Sequence, residues 1–599
     1  MKKHNGGKMK NYILFIIDSL NYSHLKDSKI DLMPYLRSLE KEELSCSNMF
    51  SQAPYTEAAV MDIYCGQNVL DNGGYFFRFK NSPKTIFEAM QEKGFITYFN
   101  SFQPQCYPSS LRRGVDYLYY NVGFDQSALW AYRLSHYAVL LKSNELTEND
   151  YENIYDVLDD NFKEWIRFID NIENDDDSVS MIKGNASTYD SKLVREKVND
   201  EINLYKNNKR GYVEDLLNQG TSHNFFKIMV YNQDLKISDR SIVEKNREVM
   251  MPTFRKIRKL SIRLNLKNAF GKIIKIPYRK FITFIKNPNI EYAKDFVRSI
   301  LNFYNYILDD DLYDRVSNDY DSFKNAPSAM THINHYIEWA KKHKGDDKPH
   351  FACIHVDDIH NPEEFFTYDS DDISLIEREM KEANEILDNL PKDYYGNITH
   401  DLSLKYIDGV IKYFIEELKT NDLYEDTSLV ICADHGFSFS GNPIRDSFVV
   451  NLFLENYRIP FIITGTDNKK RINEYCCSKD IPATMCSLVD NRIPKEFTGN
   501  NVLDSKTDRI NIIEYCGGGC PDISRRELKI AAFDNDYFVG TLCRIDDVVD
   551  SNITEIYDLL NDPYQKNNLV GKEYNSDKVD LLIMSIKERR AAIKKDLMK

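Results

Sequence analysis

No C-x-x-C pair occurs among the 11 cysteines of this chain, and no histidine follows His435 in its 599 residues. The cysteines are odd in number and scattered, so reduced thiols in the cytoplasm are expected rather than a disulfide framework. No stretch approaches the roughly 20 apolar residues that a membrane-crossing helix needs. The apolar run that ends at Ile17 is short for a signal-peptide core, and no small-residue cleavage site follows it. A surplus of positive charge is missing too: the formal net charge is −15, which argues against a general nucleic-acid binder. What the chain does have is bulk. Its hydrophobic content is 42%, enough for a sizeable core, and its length predicts two or three domains or one large α/β core with insertions.

The stretch Ser428-Leu-Val-Ile-Cys-Ala-Asp434-His435-Gly436 stands out. A short apolar run bounded by glycine suits a buried strand better than a helix. Its end carries a carboxylate and an imidazole side by side, at the place where open α/β sheets form their sites. The pattern recurs. Tyr12–Ile17 is an apolar run ending in Asp18-Ser19, where the acid is either a metal ligand or a cap or turn residue. His350–His355 is a third such run, followed by Asp357, Asp358 and then His360-Asn361-Pro362. His355 lies within or near that strand, so a satisfied core histidine is its default reading. His360 falls in the loop, where a functional role is more natural. Thr56 opens a helical run that closes at Gly66. It suits a helix N-cap, and the same position suits a nucleophile facing an anion at the helix N-terminus.

Helix, glycine and strand alternate through Thr85–Phe99, the rhythm of an α/β core. From about residue 123 to 345 the rhythm changes to long charged stretches with helical apolar spacing, such as Tyr155–Ile166 and Glu291–Leu308. Residues 255–286 are locally basic (Arg255, Lys256, Arg258, Lys259, Arg263 and others). They suit an anionic membrane surface or a polyanionic acceptor, although a solvated basic helix face is the default reading. Leu404–Leu418 reads as an amphipathic helix, Arg458–Gly465 and Ile510–Tyr515 as strands, and Asp480–Leu488 as a helix. The Cys516–Cys520 stretch across three glycines reads as a loop, followed by Arg525 and Arg526, which could face an anion or solvent.

Taken in order, the strand ending at Asp18, the Ala53-Pro54-Tyr55-Thr56 to Gly66 segment, the strand before His360-Asn361-Pro362 and the strand ending at Asp434-His435-Gly436 resemble the alkaline phosphatase superfamily. The likeness is to its sulfatase-like branch, which holds sulfatases, phosphonate monoester hydrolases and phosphoglycerol or phosphoethanolamine transferases. Asp480-Ile481-Pro482-Ala483-Thr484 and Glu555–Pro563 are similar to two further sulfatase stretches. The resemblance covers roughly residues 10–120 and 346–565. It implies a central mixed, mostly parallel sheet flanked by helices, with a large helical insertion and a C-terminal subdomain. The expected divisions are 10–122 and 346–470 for the core, 123–345 for the insertion and 471–599 for the C-terminal part.

The resemblance also implies one divalent metal, Mn²⁺ or Zn²⁺ (Ca²⁺ in a true sulfatase), on Asp18, Thr56, Asp434 and His435. Thr56 is then the nucleophile that carries a covalent phosphoryl group. His360 binds the substrate or protonates the leaving group, and Arg525 contacts the substrate. Three departures shape the expectation. Tyr55-Thr56-Glu57-Ala58-Ala59 replaces the C/S-x-P-x-R segment that becomes formylglycine in sulfatases. Asp18-Ser19 replaces a pair of acids. The late histidine of two-zinc members is missing. Together they favour a single metal and phosphorus esters, with a small or glycan-linked anionic substrate, a cell-envelope precursor among the candidates. A sulfuric ester hydrolase and a non-catalytic anion binder are the alternatives. The lean towards Asn, Lys, Ile, Tyr and Asp resembles the bias of AT-rich bacterial genomes.

Overall fold

A computed structural model describes residues 9–26, 30–74, 84–101, 113–119, 134–135, 137–174, 190–228, 240–268, 275–308, 328–360, 366–368, 370–392, 394, 396–437, 452–504, 509–516 and 527–598. Strands β1 (Asn11–Ile17), β2 (Leu44–Cys46), β3 (Met49–Phe50), β4 (Ile96–Ser101) and β5 (Tyr117–Tyr119) belong to the first part of the chain. β6 (His350–Val356), β7 (Thr427–Ala433), β8 (Arg458–Ile459), β9 (Phe461–Ile463), β10 (Arg471–Ile472) and β11 (Cys476–Cys477) follow. Eight of them form one sheet in the order β10-β2-β9-β7-β1-β6-β4-β5. Only β9 runs against its neighbours, so the sheet is the mixed, mostly parallel one that the motifs imply.

β1, β6 and β7 are buried almost throughout, which is why they read as continuous apolar runs rather than alternating ones. β1 lies between β6 and β7, parallel to both, with Ile17 level with Val356 and Ala433. The next residues in the three strands are Asp18, Asp357 and Asp434, so the register brings three acids to one edge of the sheet. Helices cover both faces. Successive side chains of a strand point to opposite faces, and β4 demonstrates the two layers. Tyr98 packs on Tyr336 and Trp339 of the helix Ala329–Lys342, while Phe99 packs on Tyr64 and Phe87 of the helices Thr56–Cys65 and Ile86–Glu92.

Arg458–Gly465, expected as one strand, divides at Pro460. Proline cannot donate to a ladder, so β8 pairs with β3 in a small sheet while β9 joins the central one. Within 123–345 the described structure is helical. Glu148–Glu173, Ser191–Asn207 and Lys209–Gln219 enclose a core of their own around Trp165. Arg240–Asn268 instead packs on Ile373–Asp388, and Met250, Phe254 and Ile257 join the main core.

β12 (Asn511–Cys516), β13 (Leu528–Phe533), β14 (Tyr537–Cys543) and β15 (Ile553–Asp558) make a separate antiparallel sheet in sequence order. The helix Ser576–Leu597 lies across it. Its buried Arg589 reaches Glu514 through Nε–Oε2 at 2.5 Å and Nη2–Oε1 at 2.7 Å, and Asp71 at 2.6 Å. One guanidinium thus ties the last helix to this sheet and to the first part of the chain.

Candidate metal and nucleophile site

At the end of β1 the chain turns through Ser19, which holds φ 66°. A serine in this left-handed region is strained, and such strain survives only where the surroundings fix it. Here the Ser19 N–H donates to Asp434 Oδ1 (3.1 Å), and the Ser19 hydroxyl donates to Asp18 Oδ1 (2.7 Å). The turn therefore locks the orientation of both carboxylates. The His435 N–H also donates to Asp434 Oδ1 (2.7 Å), which leaves Asp434 Oδ2, fully buried, without a hydrogen-bond partner.

The His435 ring is oriented by its own turn. Nδ1 lies 2.8 Å from the Gly436 carbonyl oxygen. A carbonyl only accepts, so Nδ1 carries the hydrogen and Nε2 presents its lone pair. That Nε2 lies 3.2 Å from Thr56 Oγ1 and 3.6 Å from both Asp18 Oδ1 and Asp434 Oδ2. Gly436 is required because a Cβ there would overlap Asn21 Oδ1, which accepts from the Phe437 N–H, and would sit 3.1 Å from the Asn456 carbonyl oxygen.

Thr56 is the first residue of its helix, and the N-cap is Tyr55, which makes no side-chain cap bond. The Thr56 hydroxyl instead donates to Asp18 Oδ2 at 3.1 Å and faces His435 Nε2. Of the two roles open to Thr56 in the sequence, the cap is not the one its side chain adopts.

His355 departs from its default reading as a satisfied core histidine. It is fully buried in β6, neither ring nitrogen has a hydrogen-bond partner, and Nε2 lies 3.8 Å from the orphaned Asp434 Oδ2. Asp18, His355 and Asp434 each offer one ligand atom, all within 4.8 Å of one another. Buried polar atoms are paired as a rule, so the unpaired His355 nitrogens and Asp434 Oδ2 beside Asp18 form a group that could hold a cation. Its oxygen and imidazole donors fit a divalent cation. The signal was in the sequence: an imidazole inside an otherwise apolar, doubly buried strand needs a partner.

The two carboxylates do not behave alike. Burial raises the Asp18 pKa, but the neighbouring imidazoles, His360 first and then His435 and His355, outweigh it and hold Asp18 below the usual carboxylate range. Burial, reinforced by the negative charge of Asp18, lifts Asp434 above that range. Like charges in one dry pocket push their pKa values apart in this way. His360 is half-buried, outside the three-residue cluster, with its ring 6.5 Å from that of Phe437. Residues 361–362, Arg525 and Arg526, and the Gly517–Cys520 loop lie outside the described residues.

The two sulfatase-like stretches near the C-terminus have structural duties. Asp480 begins the helix Asp480–Asp490, accepts from the Cys477 and Asn500 N–H groups (2.9 and 2.8 Å) and is clasped by Arg509. Asp558 accepts from the Leu560 and Asn561 N–H groups and so shapes the turn after β15.

Comparison with known proteins places this chain in a family. The family model described as Sulfatase matches residues 10–243 and 278–491. An ulvan-active sulfatase from Formosa agariphila is 25% identical over 269 residues, covering 42% of this chain and 49% of the relative. The chain thus spans about half the length of that curated relative. Among solved structures, an alkaline phosphatase superfamily protein from Vibrio parahaemolyticus aligns over 99% of this chain and 89% of its own, at 12% identity and a TM-score of 0.47. A phosphonate monoester hydrolase from Silicibacter pomeroyi aligns over 98% and 96%, at 13% identity and a TM-score of 0.47. Matched by the family model over more than half of its length, the chain belongs to the Sulfatase family.

Proposed function

We propose that this protein is a metal-dependent hydrolase or transferase that cleaves phosphate esters of the phosphodiester or phosphonate type through a covalent intermediate on Thr56. One observation carries the reading. The Thr56 hydroxyl, almost fully buried, is shared between Asp18 and His435 beside the orphaned Asp434 Oδ2. A mere helix residue has no reason to be so placed. Asp18, Thr56, Asp434 and His435 would hold one divalent ion, with His355 as an added donor. When bound, such an ion neutralises charge on the transferred group and acidifies the hydroxyl it touches.

The contact of the Thr56 hydroxyl with Asp18 supports a part for the protein's own groups. Asp18 Oδ2 takes the Thr56 proton as Oγ1 bonds to phosphorus and the leaving-group oxygen departs. His360 supplies the proton that the leaving oxygen needs. Water or an alcohol then attacks the same phosphorus and passes its proton to His360, while the Thr56 oxygen leaves and takes back the proton held by Asp18. The N-terminus of the helix Thr56–Cys65 directs its positive end at the anion throughout.

Family membership also keeps sulfuric esters in view, and a relative that acts on ulvan supports a glycan-linked substrate. Tyr55-Thr56-Glu57-Ala58-Ala59 contains no residue that becomes formylglycine, which favours phosphorus. Among the described residues no helix is long and apolar enough to cross a membrane. The nine described cysteines are buried and outside any disulfide, which supports a reducing, cytoplasmic setting. Hydrolysis of bis-nitrophenyl phosphate against nitrophenyl sulfate decides between the two ester classes. Turnover of the phosphate diester alone is expected, and turnover of the sulfate alone overturns the proposal.

A further inference from the structure

Between Val249 and Ile290 the chain carries eleven lysines and arginines and no aspartate or glutamate, within a protein of net charge −15. Part of that charge is organised. Arg255, Lys259 and Arg263 stand one helical turn apart on Arg240–Asn268, all exposed. Lys256 pairs with Asp388 and Lys280 with Asp295. No described residue forms an ion pair with Arg255, Lys259 or Arg263.

The chain continues into two helices, Lys275–Lys286 and Ile290–Leu308, that pack on each other with the Phe281 and Phe296 rings 5.2 Å apart. The second also packs on Arg240–Asn268, so the basic stripe and the hairpin form one unit. Each hairpin helix leaves an apolar stripe in water. Tyr278 and Ile285 lie seven residues apart on the first, and Ile290, Val297 and Leu301 follow one another at seven and four on the second. All five are between 54% and 73% exposed. On the first helix Arg279, Lys280 and Lys286 occupy the other side.

Exposed large apolar side chains grouped in this way mark an interaction surface. The charge selects the occupant. A second copy of this chain would bring the same uncompensated bases against themselves, and a purely phosphate-binding surface has no use for aliphatic stripes. A basic helix unit with exposed apolar stripes matches the headgroup boundary of an anionic bilayer, where the bases meet lipid phosphates and the stripes enter the acyl edge. We propose that the hairpin and the Arg255–Lys259–Arg263 stripe dock this protein on anionic lipid surfaces. The proposal is independent of the chemistry at Thr56.

The test uses the full chain with vesicles of phosphatidylglycerol mixed into phosphatidylcholine, and with phosphatidylcholine alone. Co-sedimentation is expected with the anionic vesicles only, and it falls as salt is raised. The R255E/K259E/R263E variant loses at least about 100-fold in partition, since each base near such a surface is worth about five-fold. In a second measurement that leaves the charge intact, the fluorescence of Tyr278→Trp shifts to the blue on anionic vesicles. Three results would overturn the proposal. The wild type stays in the supernatant with anionic vesicles, the charge-reversed variant binds as well as wild type, or the Tyr278→Trp signal is unmoved. A dimer in sedimentation velocity that Val297→Asp with Leu301→Asp disperses, without vesicle binding, assigns the surface to a second copy instead.

Discussion

Replacing His355 by leucine should move the stability of this protein in opposite directions with and without metal. In the stripped protein His355 is fully buried with both ring nitrogens unpaired, and a buried polar group left unsatisfied costs about 1–3 kcal/mol. Leucine fills a similar space with no polar atoms, so the stripped variant should be as stable as wild type or up to about 3 kcal/mol more stable. With metal the balance reverses. Loss of a group that merely supports a ligand lowers metal affinity by about 10- to 100-fold, and loss of a donor should cost at least as much. At one fixed metal concentration the stabilisation conferred by Mn²⁺ or Zn²⁺ should therefore shrink by at least about 1.4–2.7 kcal/mol. Equilibrium dialysis against either metal, paired with urea midpoints in chelator and in metal, reads both effects. A variant that binds metal like wild type and is weakened in chelator would refute the reasoning and return His355 to the role of an ordinary core residue.

Other perturbations have equally definite outcomes. Arg589→Ala leaves Glu514 buried and uncompensated and should destabilise by about 3–5 kcal/mol, read as early proteolysis of the C-terminal helix; joint replacement Glu514→Gln with Arg589→Met should recover most of the loss. Gly436→Ala forces the His435 turn off Asn21 and the Asn456 carbonyl oxygen, and a displacement near 1 Å should lower turnover by about 100-fold with little change in secondary structure by circular dichroism. Burial pushes the Glu379 carboxyl up to about 8 from its ordinary 4.5. Folded protein therefore keeps a proton that the unfolded chain releases, and stability must fall as pH rises from about 4.5 to 8. In Glu379→Gln the urea midpoint should decline less across that window, by an amount worth a few kcal/mol at most.

The ends of the central strands were legible because the chemistry there is abrupt. Apolar runs that stop at Asp18 and Asp434 cannot bury those acids casually, and the register that sets them side by side follows from parallel pairing. Thr56 was ambiguous for a physical reason: a hydroxyl at a helix start serves a cap or an anion site equally well, and only its rotamer, aimed at Asp18 and His435, decides. That His355 needs a partner was legible, but which partner was not, because a strand buried on both faces has no alternation to show where a side chain points. The pairing partners of β8 and β9 were likewise beyond local pattern, since they depend on which sheet each side of Pro460 meets. The duties of Asp480 and Asp558 as turn and helix-start anchors emerged only once their N–H donors were placed.

The most direct test of the central claim is the rate of bis-nitrophenyl phosphate hydrolysis by wild type, Thr56→Ser and Thr56→Ala, with the metal content of each preparation measured alongside. Wild type should hold about one metal per chain, as expected of a single-metal site. Thr56→Ser should retain part of the rate, and Thr56→Ala should keep its fold while losing at least about 10³-fold, as expected for a missing covalent nucleophile. Metal-free wild type, or a Thr56→Ala variant as active as wild type, would contradict the account and leave Thr56 an ordinary residue at the start of its helix.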